Sequence, residues 1–445
     1  MAKPSTSSHP TRRVAVVGAG WAGCAAAVHL ARAGASVTVF EAARTLGGRA
    51  RQVMMQGHSL DNGQHIMLGA YQQTLQLMKQ LGMDASTLLY RLPMQMCFPF
   101  DSGMEFVAAR LPAPLHLMAG LLRASGLNRH DKLALARFSS AARWMGWQLD
   151  DDCTVDTLLW RFDQTPRLIA LLWRPLCIAA LNTPPARASA NIFLNVLKDS
   201  LGASRAASDM LVPRVDLTAL LPQQAARYIE RSGGVVHLGA RVRRLKQVPA
   251  GWIIDGSQAD SGPTFDQVVV ATDPVNAATL LAEHIDTTSL AALTYEPITT
   301  CYLQYGSNCR LSRPFFALID DAARPAQFVF DRGQLDGMQA GLFAAVVSAS
   351  DGLAGIDQQE VTRAIAHQLA EQLRMPNLTQ PLWTKLITEK RATFSCSPGL
   401  QRPSQQTALE GLALAGDYTA GPYPATLEAA VASGVRAAAL LAGRP

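Results

Sequence analysis

The hydrophobic residues of the first forty positions occur in short runs that glycines interrupt. Val14–Val17 is β-branched and continuously apolar, which is typical of a parallel strand buried on both faces. A small-residue segment, Ala25–Ala33, ends at a glycine and predicts a helix. Ser36–Phe40 predicts a second strand. The order strand, glycine-rich turn, helix, strand indicates the start of a parallel α/β sheet.

A similar pattern occurs near the end of the chain. Gly411–Asp417 predicts a buried strand that ends in Gly-Asp, and a small-residue helix is predicted over Leu427–Leu441. Pro424 stands before that helix as a start signal. Residues 233–245 predict two more short strands, and Phe265–Thr272 predicts another buried one.

The intervening segments are rich in leucine, methionine, tryptophan and phenylalanine. Leu133–Trp147 and Leu158–Leu181 have a helical pattern, but Arg174 and Pro175 interrupt the second, so it is not expected to span a membrane. Three explanations fit this composition: an apolar pocket for a long hydrocarbon, contact with a bilayer surface, or an ordinary packed core.

Composition narrows the classes of function. The 445 residues are 49% hydrophobic and 17% charged, which favours two or three domains with a large apolar core or cavity. The net charge of +6 is spread along the chain without a basic, aromatic-containing block, so nucleic acid is not an expected partner. A mildly basic protein is compatible with an anionic membrane surface. Seven scattered cysteines without a C-x-x-C pair predict neither disulfides nor a metal site, and favour a reducing, cytoplasmic compartment.

A phosphate-binding pattern follows the first strand. Gly18, Gly20 and Gly23 form G-x-G-x-x-G, in which the glycines allow a tight turn, close approach of the backbone to a pyrophosphate, and close helix–strand packing, respectively. Glu41, at the end of the second strand, is placed to accept hydrogen bonds from ribose hydroxyls. The sequence therefore predicts a dinucleotide site at the N-terminus of the first helix.

The segment after Glu41 resembles a fingerprint of the FAD-dependent amine oxidase and phytoene desaturase superfamily, because Gly47 and Gly48 precede Arg49. The resemblance implies an α/β protein: a Rossmann-like FAD-binding domain of the GR2 type with an inserted, mixed α+β substrate domain. FAD is expected to bind non-covalently. The cofactor-binding residues that follow from the glycine pattern and the resemblance are Gly18, Gly20, Gly23, Glu41, Gly47, Gly48, Arg49, Val242, Gly416, Asp417 and Leu427.

The resemblance also assigns parts of FAD to these residues. An arginine at position 49 suits a diphosphate, Gly416 and Asp417 would meet the ribityl–phosphate part, and the backbone of Val242 would contact adenine. The helix that begins near Leu427 would point its N-terminus at the flavin pyrimidine edge, where a helix dipole stabilises negative charge.

The implied domain organisation is discontinuous. Residues 12–75, 212–292 and 396–445 are expected to form the FAD-binding domain. Residues 76–211 and 293–395 are expected to form the substrate-binding domain, and residues 1–11 are expected to be a disordered lead-in.

Two segments narrow the resemblance. Leu60–Tyr71, which contains Asp-Asn-Gly-Gln-His, and Glu389–Phe394 resemble the hydroxysqualene dehydroxylase branch. This implies that reduced FAD removes the hydroxyl of hydroxysqualene, a long-chain isoprenoid, to give squalene in squalene and hopanoid biosynthesis. An acid near the hydroxyl is required; His65 is the first candidate, and Tyr423 and Arg391 are weaker ones. A lipid substrate makes peripheral attachment to the inner face of the cytoplasmic membrane a further hypothesis.

Three alternatives are left open. A phytoene- or carotenoid-type desaturase would share the fold and the lipid substrate class but pass hydride to FAD. An amine oxidase is disfavoured because Thr426 stands where those enzymes carry a cage aromatic, and because no lysine occurs between residues 246 and 385. A non-enzymatic lipid-escort protein is disfavoured because the charged FAD ligands are all present. The sequence identifies neither the electron donor nor the oligomeric state.

Overall fold

The computed structural model describes residues 11–55, 57–100, 103–256 and 263–443. The strands of these residues are β1 (Arg13–Val17), β2 (Ser36–Glu41), β3 (Gln52–Met55), β4 (His58–Asp61), β5 (Met67–Leu68), β6 (Leu89–Leu92), β7 (Gln95–Cys97), β8 (Glu105–Val107), β9 (Met210–Pro213), β10 (Val235–Leu238), β11 (Val242–Val248), β12 (Gly251–Gly256), β13 (Gln267–Val270), β14 (Tyr295–Gln304), β15 (Phe315–Ala317), β16 (Phe328–Asp331), β17 (Leu342–Ser348), β18 (Trp383–Phe394) and β19 (Leu412–Leu414).

The α-helices of the same residues are α1 (Trp21–Arg32), α2 (Gln72–Gln80), α3 (Ala85–Leu88), α4 (Leu115–Arg123), α5 (Arg129–Trp144), α6 (Val155–Arg161), α7 (Pro166–Leu168), α8 (Arg174–Leu181), α9 (Ala190–Leu201), α10 (Arg205–Ser208), α11 (Leu217–Leu220), α12 (Pro222–Arg231), α13 (Pro274–Leu281), α14 (Thr288–Ala291), α15 (Gln358–Gln372) and α16 (Leu427–Leu441).

A five-stranded parallel sheet joins the two ends of the chain. Its order is β10-β2-β1-β13-β19, and every neighbouring pair is parallel. Val17 of β1 is paired with Phe40 of β2 on one side and Val270 of β13 on the other, so these strands end at the same level. The central strands are buried on both faces, as expected when helices cover a parallel sheet.

Two helices of small residues pack closely beside this sheet. A Cβ atom added to Gly434 of α16 would lie 2.1 Å from the carbonyl oxygen of Ala22 in α1. The two backbones are therefore too close for any side chain at position 434. This contact fixes the C-terminal helix against the helix that follows the glycine-rich turn.

A second five-stranded sheet is antiparallel, in the order β15-β16-β17-β14-β18. β14 and β18 pair over almost their whole length, from Tyr295 opposite Phe394 to Gln304 opposite Trp383. Helix α15 packs on one face of this sheet through Val361, Ile365, Leu369 and their neighbours. The parallel α/β sheet and the separate mixed α+β part confirm the predicted fold class.

The structure corrects several predicted helix limits. α1 begins at Trp21 rather than Ala25, because the glycine turn leads directly into the helix. The last helix begins at Leu427 as predicted; Thr426 is its N-cap, and Pro424 lies two residues before that cap. α5 begins at Arg129, before the predicted Leu133, because Asn128 forms a capping box with Asp131.

The predicted helix Leu158–Leu181 is wrong as a single element. It consists of α6, α7, a π-helical segment (Ile169–Trp173) and α8. Pro166 lies at the first position of α7, where the missing N–H group is least costly, and Pro175 follows directly after the π-helical segment. Within the described residues, no helix is both long and apolar enough to cross a membrane.

The predicted domain limits remain predictions, and two features bear on them. β9 runs across the expected boundary between residues 211 and 212, and it pairs with β5 and β6. One hydrophobic cluster combines Val17 and Val270 of the parallel sheet with Phe138 and Trp173 of the intervening helices. The two parts of the molecule therefore share a core. Residues 1–10 of the expected lead-in lie outside the described residues.

Candidate active site

The candidate site lies at the carboxyl edge of the parallel sheet, which is where parallel α/β sheets bind their ligands. Gly18 follows β1, Glu41 ends β2, and Asp273 follows β13. Gly416 and Asp417 follow β19. The sheet order brings these four strand ends together although they are far apart in the sequence.

The glycines of the first turn are required by close backbone contacts. Gly18 has a φ of +104°, and a Cβ atom there would lie 2.6 Å from the carbonyl oxygen of Ala271. A Cβ atom on Gly23 would lie 1.9 Å from the carbonyl oxygen of Gly18. Both positions therefore exclude a side chain, as the pattern predicted.

A second glycine pair lies against the first turn. The backbone N–H of Gly47 donates to the carbonyl of Ala19 at 2.9 Å, and Gly20 and Gly47 form a parallel bridge. A Cβ atom on Gly48 would lie 3.2 Å from the Cα atom of Gly20. Two backbone segments without side chains thus form one cradle, which suits a diphosphate.

The N-terminus of α1 has free hydrogen-bonding capacity. Its N-cap, Gly20, provides no side-chain acceptor, and the first turn contains no acidic residue. By contrast, Thr426 caps α16 by accepting a hydrogen bond from the N–H of Ala429. The uncapped N–H groups and the helix dipole of α1 therefore favour an anion such as phosphate.

The Glu41 carboxylate is buried and held by the backbone. One oxygen accepts from the N–H of Ala19 at 2.7 Å, and the other accepts from the N–H of Ala43 at 2.8 Å. Each carboxylate oxygen can accept more than one hydrogen bond. Glu41 is thus fixed at the end of β2, and its carboxylate oxygens can still accept hydrogen bonds from ribose hydroxyls.

Arg49 and Asp417 form an ion pair that joins the two ends of the chain. The Arg49 Nη2 atom lies 2.5 Å from the Asp417 Oδ1 atom, and Arg49 Nη1 also donates to the carbonyl of Ala392 at 2.8 Å. Ala392 belongs to β18 of the antiparallel sheet. The predicted FAD ligands Arg49 and Asp417 are therefore brought together at the junction of the two sheets.

The two segments that carry the narrower resemblance meet at this same junction. The Asn62 Nδ2 group donates to the carbonyl of Arg49 and to a carboxylate oxygen of Glu389, both at 3.1 Å. Asn62 belongs to the Leu60–Tyr71 segment and Glu389 to the Glu389–Phe394 segment. Nothing in the sequence required these two segments to be adjacent.

His65 is held in one tautomer by the backbone. Its Nδ1 atom lies 2.7 Å from the carbonyl oxygen of Gly63, and because a carbonyl only accepts, Nδ1 carries the proton. The Nε2 atom remains for another partner. Burial lowers the pKa of His65 below its ordinary value of 6.5, and the bond to Gly63 opposes this only in part.

A buried polar network supports the segment around His65. Arg332 donates to the side-chain oxygens of Gln64 at 2.9 Å and Gln339 at 2.8 Å, and its Nη1 atom lies 4.0 Å from Asp61 Oδ2. Burial raises the pKa of Asp61 to about 7, while Arg332 and the N–H of Leu217 oppose that increase. The network anchors both ends of the Asp61–His65 loop.

The other two acid candidates have protein partners. The Tyr423 hydroxyl donates to Asp199 Oδ2 at 2.6 Å, and burial, together with this contact, raises the pKa of Tyr423. Arg391 is exposed, and its guanidinium lies 3.7 Å from Asp273 Oδ1 rather than pairing with the Glu389 side chain. The assignment of Tyr423 and Arg391 to proton transfer remains a prediction.

The remaining candidate FAD-binding residues lie at the start of a helix or strand or directly after a strand, as predicted. Leu427 is buried in the first turn of α16, and the N–H of Gly416 donates to Ser433 Oγ of the same helix at 2.8 Å. Val242 is buried at the start of β11 and paired with Gly256. Their contacts with FAD remain predictions.

Three hydroxyl groups near this junction are buried without a hydrogen-bond partner among the described residues. They belong to Tyr295, Thr300 and Tyr418. A Cβ atom on Gly63 would lie 3.7 Å from Thr300 Oγ1 and 3.9 Å from His65 Cε1, so these two side chains border the same space. Because a buried hydroxyl without a partner is costly, these groups are candidates to bind a ligand.

Sequence reasoning missed Asp273, Tyr295, Thr300 and Tyr418. Asp273 caps α13 by accepting from the backbone N–H groups of Val275 and Asn276, and an Asp-Pro pair directly after a buried strand was a usable signal for such a cap. No local signal marks the other three, because they become relevant only through the pairing of β14 with β18 and through the approach of the two ends of the chain.

The residues present fit a dinucleotide such as FAD. The side-chain-free cradle at Gly20 and Gly48 and the uncapped N-terminus of α1 suit the diphosphate. The fixed carboxylate of Glu41 suits a ribose. The unpartnered hydroxyls beside the Arg49–Asp417 pair can meet polar atoms of a bound flavin or substrate.

Comparison with known proteins defines the class. The chain belongs to the flavin-containing amine oxidoreductase family, whose family model matches residues 21–442. Cyclohexylamine oxidase from Brevibacterium oxydans has the same fold, with a TM-score of 0.68 and 20% identity over 98% of this chain and 99% of that one. Putrescine oxidase bound to putrescine has a TM-score of 0.67 and 18% identity over 98% and 99% of the two chains. The protein is an FAD-dependent oxidoreductase.

Within this family, the predicted resemblance to the hydroxysqualene dehydroxylases is confirmed. The Sinorhizobium fredii hydroxysqualene dehydroxylase is 30% identical over 96% of this chain and 98% of its own length. The Rhodopseudomonas palustris enzyme of the same name is 29% identical over 98% and 100%. A zeta-carotene desaturase from Zea mays is 24% identical over 99% and 85%.

Proposed function

We propose that this protein is a hydroxysqualene dehydroxylase that converts hydroxysqualene into squalene with electrons from reduced FAD. The observation that carries the proposal is the Asn62–Glu389 hydrogen bond. It joins the two sequence segments that distinguish this branch, and Asn62 also holds the carbonyl of Arg49. The relatives of that name, which align over nearly the whole chain, support the same assignment.

The reaction is a two-electron reduction of an allylic alcohol. Protonation of the hydroxyl lets the C–O bond break, water leaves, and a delocalised cation remains. When bound and reduced, FAD would supply the hydride for the new C–H bond and would be oxidised, which balances the two electrons. Water must be kept away from the cation, which requires apolar surroundings for the substrate.

We assign His65 and Thr300 to the substrate hydroxyl. The Nε2 atom of His65 is the ring nitrogen without a backbone partner, and the Thr300 hydroxyl borders the same space. Because burial lowers the pKa of His65, its protonated form is a stronger acid than an ordinary imidazolium, although it is less populated. The loop that carries His65 is fixed by Arg332 through Gln64.

We also propose that the predicted cofactor ligands hold FAD as their positions indicate. The glycines of the cradle and the N-terminus of α1 would bind the diphosphate, and Glu41 would bind a ribose. Arg49 and Asp417 would lie beside the ribityl–flavin part, and the N-terminus of α16 would face the pyrimidine edge. The division into a discontinuous FAD-binding domain and a substrate domain accompanies this assignment.

The decisive experiment uses the purified holoenzyme reduced anaerobically with dithionite in deuterated water. Reduced flavin exchanges its N5 hydrogen with solvent, so hydroxysqualene dispersed in detergent should give squalene that carries one deuterium, with matching reoxidation of the flavin. Squalene without carbon-bound deuterium, or no squalene at all with a fully reduced flavin, would contradict the proposal.

A carotenoid-type desaturase is the second candidate, and the similarity to the Zea mays enzyme favours it. In that case hydride would pass from the lipid to oxidised FAD. The oxidised holoenzyme would then bleach on addition of a carotene, and the reduced enzyme would leave hydroxysqualene unchanged. The same preparation therefore distinguishes the two directions of hydride transfer.

A further inference from the structure

Helix α4 presents a row of apolar side chains that no described residue covers. Leu115, Met118 and Leu122 are 52%, 54% and 74% exposed, and their spacing places them on one side of the helix. The opposite side is fixed to the protein: His116 is buried, and a Cβ atom on Gly120 would lie 2.8 Å from the carbonyl oxygen of Val107 in β8. The outer side of α4 therefore carries apolar side chains that remain largely exposed among the described residues.

Helix α5, the next helix in the chain, also carries exposed apolar side chains. Leu133 is 63% exposed and Trp144 is 92% exposed, and the eleven positions that separate them correspond to about three helical turns, which places both on one side. The Lys132 ammonium donates to the carbonyl of Leu122 at 2.9 Å and so ties the start of α5 to the end of α4. These residues are called here the α4–α5 face.

The α4–α5 face lies in a segment rich in cations, with Glu105 and Asp150–Asp152 directly beyond its two ends. Residues 106–149 contain six lysines and arginines, which are Arg110, Arg123, Arg129, Lys132, Arg137 and Arg143, and one acidic residue, Asp131. Asp131 is buried, and its oxygens accept hydrogen bonds from Asn128 N–H and the Thr165 hydroxyl. The five arginines are exposed and form no ion pair with another described residue.

We propose that the α4–α5 face docks on the surface of an anionic lipid bilayer. An amphipathic surface with leucines on one side and cations around it lies in the headgroup region, with the apolar side chains inserted. A nearly fully exposed tryptophan at the end of α5 is the side chain that interfaces favour, because its ring is apolar and its N–H is polar. The anionic inner leaflet of a cytoplasmic membrane would attract the six cations.

Charge favours a bilayer over a second copy of this chain. In a symmetric dimer through this face, the six cations of one copy would meet the six of the other, and a like-charge contact of that kind is unfavourable. An anionic surface complements the cations and receives the leucines at the same time. The inference stands independently of the reaction proposed above.

The test is cosedimentation of the holoenzyme with vesicles. Phosphatidylcholine vesicles that contain phosphatidylglycerol should bind the wild-type protein at low salt, and pure phosphatidylcholine vesicles should bind it much more weakly. The combined Leu115→Ser, Met118→Ser and Leu122→Ser variant should bind roughly tenfold more weakly or worse, because its apolar insertion is lost. Arg123→Glu, Arg129→Glu and Arg137→Glu together should weaken binding to a similar extent and remove its dependence on phosphatidylglycerol.

Two matched variants control for general effects. Met338→Ser with Leu382→Ser removes exposed apolar side chains elsewhere, and Arg227→Glu with Arg231→Glu removes exposed charges from α12. Both should bind vesicles like the wild type. Flavin absorbance and thermal unfolding should be unchanged in every variant, and so should turnover of a detergent-dispersed substrate.

Several outcomes would overturn the proposal. Equal binding by the α4–α5 variants and the controls would place the membrane contact elsewhere. A wild-type dimer in sedimentation equilibrium that the serine variant converts into a monomer would identify a second copy as the occupant. Failure of wild-type protein to bind anionic vesicles while it still turns over dispersed substrate would reject the docking surface and leave the proposed reaction intact.

Discussion

Thr299 and Thr300 show how two neighbouring residues of one strand acquire different roles. Successive side chains of a strand point to opposite faces. Thr299 Oγ1 lies 3.0 Å from Ser350 Oγ and 2.9 Å from Thr388 Oγ1, whereas Thr300 Oγ1 is buried without a partner among the described residues. The difference indicates that the first hydroxyl stabilises the sheet, and it fits our assignment of the second to the substrate hydroxyl.

Replacement by valine should separate these roles. Thr300→Val should keep its flavin and its unfolding temperature, since it removes a hydroxyl that has no partner to lose, but should lower kcat about tenfold or more. Thr299→Val should keep kcat and lose roughly 1 kcal/mol of unfolding free energy. Steady-state kinetics and denaturant unfolding measure both, and a fully active Thr300→Val enzyme would remove that hydroxyl from the mechanism.

The partly buried imidazole of His65 predicts a pH dependence of stability. Its pKa in the folded protein is below the ordinary value of 6.5, so between these values the unfolded chain binds more protons than the folded one. This part of the stability is present above pH 6.5 and is lost as the pH falls through the folded-state pKa. His65→Gln should therefore lose less unfolding free energy than the wild type between pH 7.5 and pH 5.5.

Denaturant titrations at the two pH values check this prediction. His367 is exposed on α15, and His367→Gln serves as the control, which should behave like the wild type. If the His65 variant and the wild type lost the same unfolding free energy between the two pH values, burial would not hold the imidazole in its neutral form.

At the scale of elements, α16 packs closely on α1, the helix whose N-terminus we assign to the FAD diphosphate. Gly434→Ala would force a methyl group to within 2.1 Å of the Ala22 carbonyl, and the helices would have to separate. We expect a loss of about 1–3 kcal/mol in unfolding free energy, because overpacking a close contact costs this much. FAD affinity should fall as well, since α1 presents the uncapped N–H groups.

Gly352→Ala is the matched control for this helix contact. A Cβ atom there would have no neighbour within 4 Å, so its stability and FAD affinity should equal those of the wild type. Denaturant unfolding and fluorescence titration of the apoprotein with FAD give the two quantities. Unchanged FAD affinity in a destabilised Gly434→Ala protein would show that α16 does not position the phosphate site.

At the scale of the whole molecule, the proposed cofactor ligands are separated in sequence and are brought together by folding alone. We therefore expect denaturation to release FAD. Burial raises the pKa of the Cys396 thiol to about 12, so this cysteine is not a thiolate that could attack the flavin near neutral pH. Acid precipitation should leave a yellow supernatant and a colourless pellet, and Cys396→Ala should retain the same flavin content before precipitation. A yellow pellet would show a covalent linkage.

The sequence by itself determined the elements whose signals are local. Sequence alone predicted the G-x-G-x-x-G turn, the strand before it, Glu41 and the last helix. Their signals are glycine spacing, β-branched runs and small-residue periodicity, and each of these patterns spans only about ten residues. Helix limits were less reliable: Asn128 and Asp131 extend α5 through a capping box, and the predicted Leu158–Leu181 helix is broken between Arg161 and Pro166.

The tertiary structure alone decided which of these residues meet. The Arg49–Asp417 pair joins positions 368 apart, and the Asn62–Glu389 bond joins positions 327 apart. The unpartnered state of Thr300 and the exposure of Trp144 likewise depend on what the rest of the chain leaves uncovered. Such contacts depend on strand order and sheet pairing, which bring together residues that have no pattern in common, so they carry no local signal in the sequence.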